Sequence, residues 1–136
     1  MKEGGGMSAA RKPRSKRPRS LIAIKRAYEK PAPQDGLRIL IDRLWPRGLS
    51  KAKLKLDAWP RELTPSTALR KWYGHKPERF AEFRRRYSAE LAQNPDRLEA
   101  LRTMIKGRAA TLLTATHNLE LSHAEVLREL LRRKKK

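Results

Sequence analysis

The chain of 136 residues has no cysteine, which excludes a disulfide framework, a zinc-thiolate site and a cysteine nucleophile, and leaves nothing that argues for an oxidising compartment. Long apolar runs are missing as well. Leu21, Ile22, Ala23 and Ile24 are cut short by Lys25 and Arg26, so the basic stretch before them leads into neither a secretory signal nor a membrane span. Together these absences predict a cytoplasmic protein with no membrane partner. No Gly-rich loop follows the first apolar segment. The three histidines, His75, His117 and His123, have no ligand spacing, because i, i+6 does not place two of them on one helix face and no HExxH accompanies them. Neither a metal nor a cofactor is expected.

Acidic residues are scarce: 14 of them stand against 34 basic ones, for a net charge of +20. Residues 1–20 hold seven basic side chains and one acidic, and residues 132–136 hold five basic ones, which leaves +9 for residues 21–131. The length suits one domain with its own core at 21–131. Residues 1–20 contain Gly4-Gly5-Gly6 and a Lys/Arg/Pro/Ser run, with too few apolar groups to offset the entropy of ordering. A disordered basic tail is expected there, and a second basic tail at 132–136; Met7 is an alternative start. Such ends suit salt-sensitive, sequence-blind contacts with nucleic acid, or simply solubility and loose association with polyanions.

What is present is concentrated in residues 38–48, R-I-L-I-D-R-L-W-P-R-G. Ile39, Leu40 and Ile41 make the short apolar run of a strand covered on both faces, and Asp42 and Arg43 put opposite charges where it emerges. Pro46 cannot donate to a ladder and biases Trp45 toward an extended form, while Gly48 permits a turn, so the strand is predicted to stop near Leu44. Ahead of it, residues 21–28 alternate as a first strand. The loop with Pro31, Pro33 and Asp35-Gly36 most simply closes a hairpin; otherwise it carries the chain to a neighbouring strand of the same direction.

Ser50 caps a short turn in which Leu49 and Leu54 have staple spacing, and Thr64-Pro65 signals a helix over 66–73 ended by Gly74. Pro77 opens the longest helix, with Phe80, Phe83, Tyr87 and Leu91 on one face and Arg84, Arg85 and Arg86 mostly outward. Asn94-Pro95 starts another, carrying Leu98, Leu101 and Ile105 to Gly107. Residues 109–115 supply the next strand, and Ser122 with Glu125 forms a capping box for a final helix. Several helices between two strands mark a crossover that joins parallel strands. The predicted fold is therefore α/β: a small, mostly parallel sheet flanked by helices in a single domain. Ligands in such sheets bind beyond the carboxyl ends of the strands, so residues 42–48 and 114–118 should face one pocket.

These residues resemble the YeaO-like branch of the domain-of-unknown-function 488 family across about residues 22–131. The resemblance rests on Asp35-Gly36, the unbroken run from Ile39 to Gly48, Leu56-Asp57-Ala58-Trp59, Pro65-Ser66, Leu69-Arg70, Phe83, Tyr87, Glu90-Leu91, Thr111-Leu112-Leu113 and His123-Ala124. It implies a small cytosolic α/β protein without an established reaction, and a fold alone yields no substrate. The departures gather after the strand at 109–115. Thr114 stands where the family usually has Tyr, His117-Asn118 where it often has a basic residue and then Asp or Asn, and Ser122 where it usually has Asn.

Candidate ligand-binding residues are Arg43, Trp45, Arg47, Ser66, Arg70, His117 and Asn118. Arg47, with Arg43 and with Arg38 or Arg70 as further candidates, suits bidentate capture of a phosphate or carboxylate. Ser66 lies in the first turn of a helix, where a hydroxyl either caps or meets an anion. Asp42 is a candidate base, although a carboxylate beside two arginines reads better as an ionised structural partner. His117 is the favoured titrating group at the pocket edge; His75 reads as a turn residue and His123 as part of the helix start. The three tryptophans and the Phe/Tyr stripe read as core. Three function classes fit. An anionic small molecule bound, and conceivably acted on, at the sheet edge leads; nucleic-acid association through the basic tails and Arg84, Arg85 and Arg86 follows, then a protein-interaction module.

Overall fold

The computed structural model describes residues 21–133; the tail expectations for 1–20 and 134–136 lie outside the described residues. Ala110–Thr114 (β3) is buried at every position, as befits the central strand of a parallel sheet. It pairs in parallel with Ile22–Arg26 (β1) on one side and Leu37–Leu40 (β2) on the other, in the order β1-β3-β2. The register sets Ile24, Leu112 and Ile39 side by side.

This topology removes the hairpin reading of the first connection. β1 and β2 run in the same direction with β3 between them, because the apolar β3 takes a partner on both edges. The link at 27–36 therefore crosses the sheet, and Asp35 fastens it. Thr111 Oγ1 donates to the Asp35 carbonyl at 2.8 Å, and Lys25 Nζ and Arg38 Nη1 donate to its carboxylate at 3.0 and 2.6 Å.

β2 also stops earlier than Trp45-Pro46 suggested. Ile41 N still donates to Leu113 O at 3.0 Å, but the next N–H along β3, that of Ala115, is taken by the Asp42 carboxylate at 2.8 Å. A side chain thus replaces the main-chain partner and turns the chain out of the sheet. Lys51–Leu54 (α1) follows with Ser50 as its cap, as expected.

Thr67–Tyr73 (α2) is capped by Ser66 rather than Thr64; Thr64 Oγ1 instead donates to Arg61 O at 2.7 Å, closing the preceding turn. Gly74 ends α2 in the left-handed conformation, φ 55°. Phe80–Ala92 (α3) and Pro95–Ile105 (α4) follow their predicted faces, with Phe83, Tyr87, Leu91, Leu98, Leu101 and Ile105 buried. His123–Arg132 (α5) takes Arg132 out of the supposed basic tail. Ser122 caps α5, yet Glu125 completes no capping box, because Arg128 takes its carboxylate.

The helices cover one face of the sheet, where Ile22, Ile39, Ile41 and Leu112 meet Phe83, Tyr87 and Leu127. Leu40 and Leu113 on the other face pack with Ala27 and Leu54, joined by Trp45, Leu49 and Trp59. The expected α/β domain with a parallel, three-stranded sheet is therefore present. Among the described residues no helix is long and apolar enough to cross a membrane.

Candidate functional site

Beyond the carboxyl ends of the strands lies a cleft of about 710 Å³, walled by the predicted loops 42–48 and 114–118. Tyr28 after β1, one side of α2, Phe83 of α3 and His123 of α5 complete it. Every predicted ligand residue but Ser66 lines this cleft. Ser66 lines a smaller recess on the other side of Arg43 and is fully engaged there: its Oγ accepts from Leu69 N at 3.1 Å and donates to Glu90 at 2.6 Å.

The loop after β2 is held from both ends. Trp45 Nε1 donates to Leu49 O at 2.5 Å, and its ring meets Trp59 edge-on at 5.4 Å. Tyr28 donates its hydroxyl to Arg47 O at 2.9 Å, and Gly48 turns the chain at φ 84°. The Arg47 side chain projects from this pinned loop into solvent at the cleft rim.

Arg43 points back under the rim, where Nη2 donates to Pro65 O at 3.3 Å while Nε is buried without a partner. Among the described residues Arg43, Arg47, Arg70 and Lys71 have no carboxylate partner. Lys71 is a cleft cation that the sequence reading missed; its place one position after Arg70 on α2 was the available signal. Asn118 lines the cleft, but its side chain is spent on the next turn, accepting from Glu120 N and Leu121 N at 3.1 and 3.3 Å. His117 stands exposed at the rim.

Asp42 corrects the expectation that it would pair with the arginines. Oδ1 accepts from Thr114 Oγ1 at 2.7 Å and from His123 Nε2 at 2.9 Å, and Oδ2 accepts from Ala115 N at 2.8 Å. Burial alone would raise its carboxyl, but the His123 hydrogen bond and charge, with the Ala115 and Thr114 donors, outweigh burial and hold it below the ordinary range. Arg43 and Arg47 are left free of it. His123, assigned to the helix start, is there and also in the site: the first residue of α5 reaches back across the sheet edge to Asp42. Its position just beyond the strand-and-loop that precedes α5 was the clue.

Tyr87 lies beneath, wholly buried, with its ring 6.3 Å from that of His123 and its hydroxyl donating to Leu63 O at 2.5 Å. Burial, with Glu90 and Asp42 nearby, pushes this phenol far up, so it stays protonated. The arrangement can hold an anion, hydrogen-bond it and pass a proton at His123. Among the described residues no group of acids and histidines has the geometry of a metal site.

The other predicted surfaces are less open. Arg84 pairs with Glu129, and Arg85 and Arg86 share Glu82, which they hold near pKa 2, so much of that run's charge is met internally. Among the described residues, the exposed large apolar side chains are Tyr28 and Leu44, both on the cleft, and Met104 on α4.

The chain is similar in sequence to known proteins of one family. Residues 21–136 match the family described as "Inactive DUF488-N3 subclade". The "Uncharacterized protein YeaO" of Escherichia coli (strain K12) is 45% identical over 111 residues, covering 82% of this chain and 96% of the relative. "Uncharacterized protein Mb3100c" of Mycobacterium bovis and "Uncharacterized protein Rv3073c" of Mycobacterium tuberculosis (strain H37Rv) are each 42% identical over 110 residues, covering 81% of this chain and 92% of theirs. No solved structure matches. The match over residues 21–136 and the 45% identity to YeaO show that the chain belongs to the YeaO-like DUF488 family, in the subclade described as inactive DUF488-N3.

Proposed function

We propose that the protein binds an anionic small molecule in the cleft at the carboxyl edge of its sheet. One observation carries this reading. Among the described residues, Arg43, Arg47, Arg70 and Lys71 line the cleft without acidic partners, while Asp42, the one carboxylate in its described wall, is occupied by Thr114, Ala115 and His123. Guanidinium groups without a carboxylate partner around a concave, partly aromatic surface suit phosphate or carboxylate oxygens on a ligand with an apolar body.

Binding fits better than turnover. Among the described residues, the Asp42–His123 pair has no hydroxyl hydrogen-bonded to its imidazole, so the parts of an activated nucleophile are not assembled there. The subclade's description as inactive points the same way.

The reading is tested by calorimetry of the full chain against a panel of phosphorylated and carboxylated metabolites. At least one should bind in the micromolar range, more weakly as salt rises. Arg47→Ala should remove that binding while the variant stays folded. Binding only to uncharged compounds, or binding that survives Arg47→Ala together with Arg70→Ala, would place the ligand elsewhere.

A further inference from the structure

The two neighbours of His123 Nε2 are both acceptors: Asp42 Oδ1 at 2.9 Å and the Ile41 carbonyl oxygen at 3.0 Å. A ring nitrogen between two acceptors must carry a hydrogen, so neutral His123 is the Nε2–H tautomer and its variable proton belongs to Nδ1. Nδ1 has no hydrogen-bond partner among the described residues, yet it is not among the buried polar atoms left unpartnered. It therefore keeps some solvent contact, on a side chain that is 16% exposed and helps to wall the cleft.

We infer that His123 is the proton-carrying, specificity-setting group of the cleft: Nδ1, when protonated, donates to an anionic oxygen of the ligand, and Asp42 is the positioning residue that fixes the ring. The inference rests on the anion-binding reading above and adds to it a residue, an atom and a pH dependence.

The surroundings support this assignment. Asp42 faces the ring from the loop after β2, and its carboxylate accepts the Nε2–H and so fixes the ring and leaves Nδ1 to carry the variable proton. Tyr87 faces it from α3 and stays neutral. Glu125, on the same helix as His123, is taken up by Arg128, and Glu90 of α3 by Ser66. Across the cleft stand Arg43, Arg47, Arg70 and Lys71, with His75 and His117 at the rim. These cations oppose a further positive charge while the cleft is empty, and a bound anion removes that opposition. Proton and anion therefore bind with mutual assistance. The anion binds more tightly to the form that carries a proton on Nδ1, so affinity is higher at lower pH.

Two measurements on the full chain test this. In the first, imidazole nitrogen shifts of the labelled protein are followed across the titration. His123 should appear as the Nε2–H tautomer and take its second proton on Nδ1; a neutral form protonated on Nδ1 overturns the inference. The second uses inorganic sulfate, whose charge is constant in this range, titrated calorimetrically at about pH 5.5 and about pH 8.5. Affinity should be about tenfold higher at the lower pH, the worth of one charge-assisted hydrogen bond. His123→Gln keeps an N–H for Asp42 but cannot be protonated, and should reduce the ratio below about threefold. An undiminished ratio in His123→Gln overturns the role of His123 and leaves the anion cleft standing. Absence of sulfate binding at both pH values overturns the cleft reading and this inference with it, whatever tautomer the shifts report.

Discussion

Gly36 runs hard against Ala109: a Cβ placed on Gly36 would lie 2.1 Å from the Ala109 carbonyl oxygen, the same oxygen that accepts from Leu37 N at 3.0 Å. The backbone at Gly36 also has φ 65° and ψ −135°, a region that side chains resist. This is where the crossing loop hands over to β2 beside the start of β3, so relief would require moving the sheet. Gly36→Ala should lower the unfolding free energy by about 3 kcal/mol or more. A loss below about 1 kcal/mol in urea denaturation would mean that the loop yields easily.

The loop's other anchor is electrostatic. Asp35 is 3% exposed and accepts from Lys25, Arg38 and Ala32 N, and Arg38 is itself 4% exposed. Burial pulls the Asp35 carboxyl up, but Ala32, Lys25 and Arg38 outweigh it and hold the group below its ordinary value. A depressed carboxyl contributes stability above its unfolded pKa and loses it as pH falls through the folded one; Asp42 has the same sign. The urea midpoint should therefore be level between about pH 7 and 5 and fall below about pH 4. Asp35→Asn should cost about 3 kcal/mol at neutral pH, because Arg38 is left buried without its counter-charge, and should flatten part of the acid limb. An unchanged acid limb would assign that limb to other carboxylates.

Local pattern carried much of this architecture and failed at long range. The apolar run at Ile39, Leu40 and Ile41, the Gly74 stop and the Phe83/Tyr87/Leu91 stripe are decided by neighbours in sequence, and each is found where its pattern puts it. The sheet-edge rule brought residues 42–48 and 114–118 together without coordinates, since it depends only on strand direction. The Asp42–His123 contact spans 81 residues, and each partner has a sufficient local explanation, one as an arginine's partner and the other as a helix start. Strand order was illegible for the same reason. Whether residues 27–36 turn back or cross over depends on β3, which lies far along the chain. Thr64 and Ser66 are a smaller case: two hydroxyls compete for one cap, and the turn at Arg61–Leu63 takes the first.

Ser66 separates a capping role from a ligand role. Its hydroxyl accepts from Leu69 N and donates to Glu90, tying α2 to α3, and it faces the small recess instead of the main cleft. Ser66→Ala should cost about 1–2 kcal/mol, as lost caps do, with sulfate affinity per folded molecule unchanged. A drop in affinity at unchanged stability would bring Ser66 back into the site.

Trp45 and Arg47 are two residues apart on one loop and should respond in opposite ways. Trp45 packs against Trp59, gives its indole N–H to Leu49 O and joins the cluster around Leu40 and Leu113. Trp45→Ala empties that contact and frees a carbonyl, so a loss of about 3 kcal/mol is expected in denaturant unfolding. Arg47 contributes only its backbone oxygen to the fold, through Tyr28, and any residue retains that bond. Arg47→Ala should stay within about 1 kcal/mol of the parent and lose anion binding. Arg47→Lys keeps the charge without the fork and should recover part of the affinity. Should Arg47→Ala unfold the domain while the folded fraction still binds, the side chain is a structural partner, and the anion must be held by Arg43, Arg70 and His123.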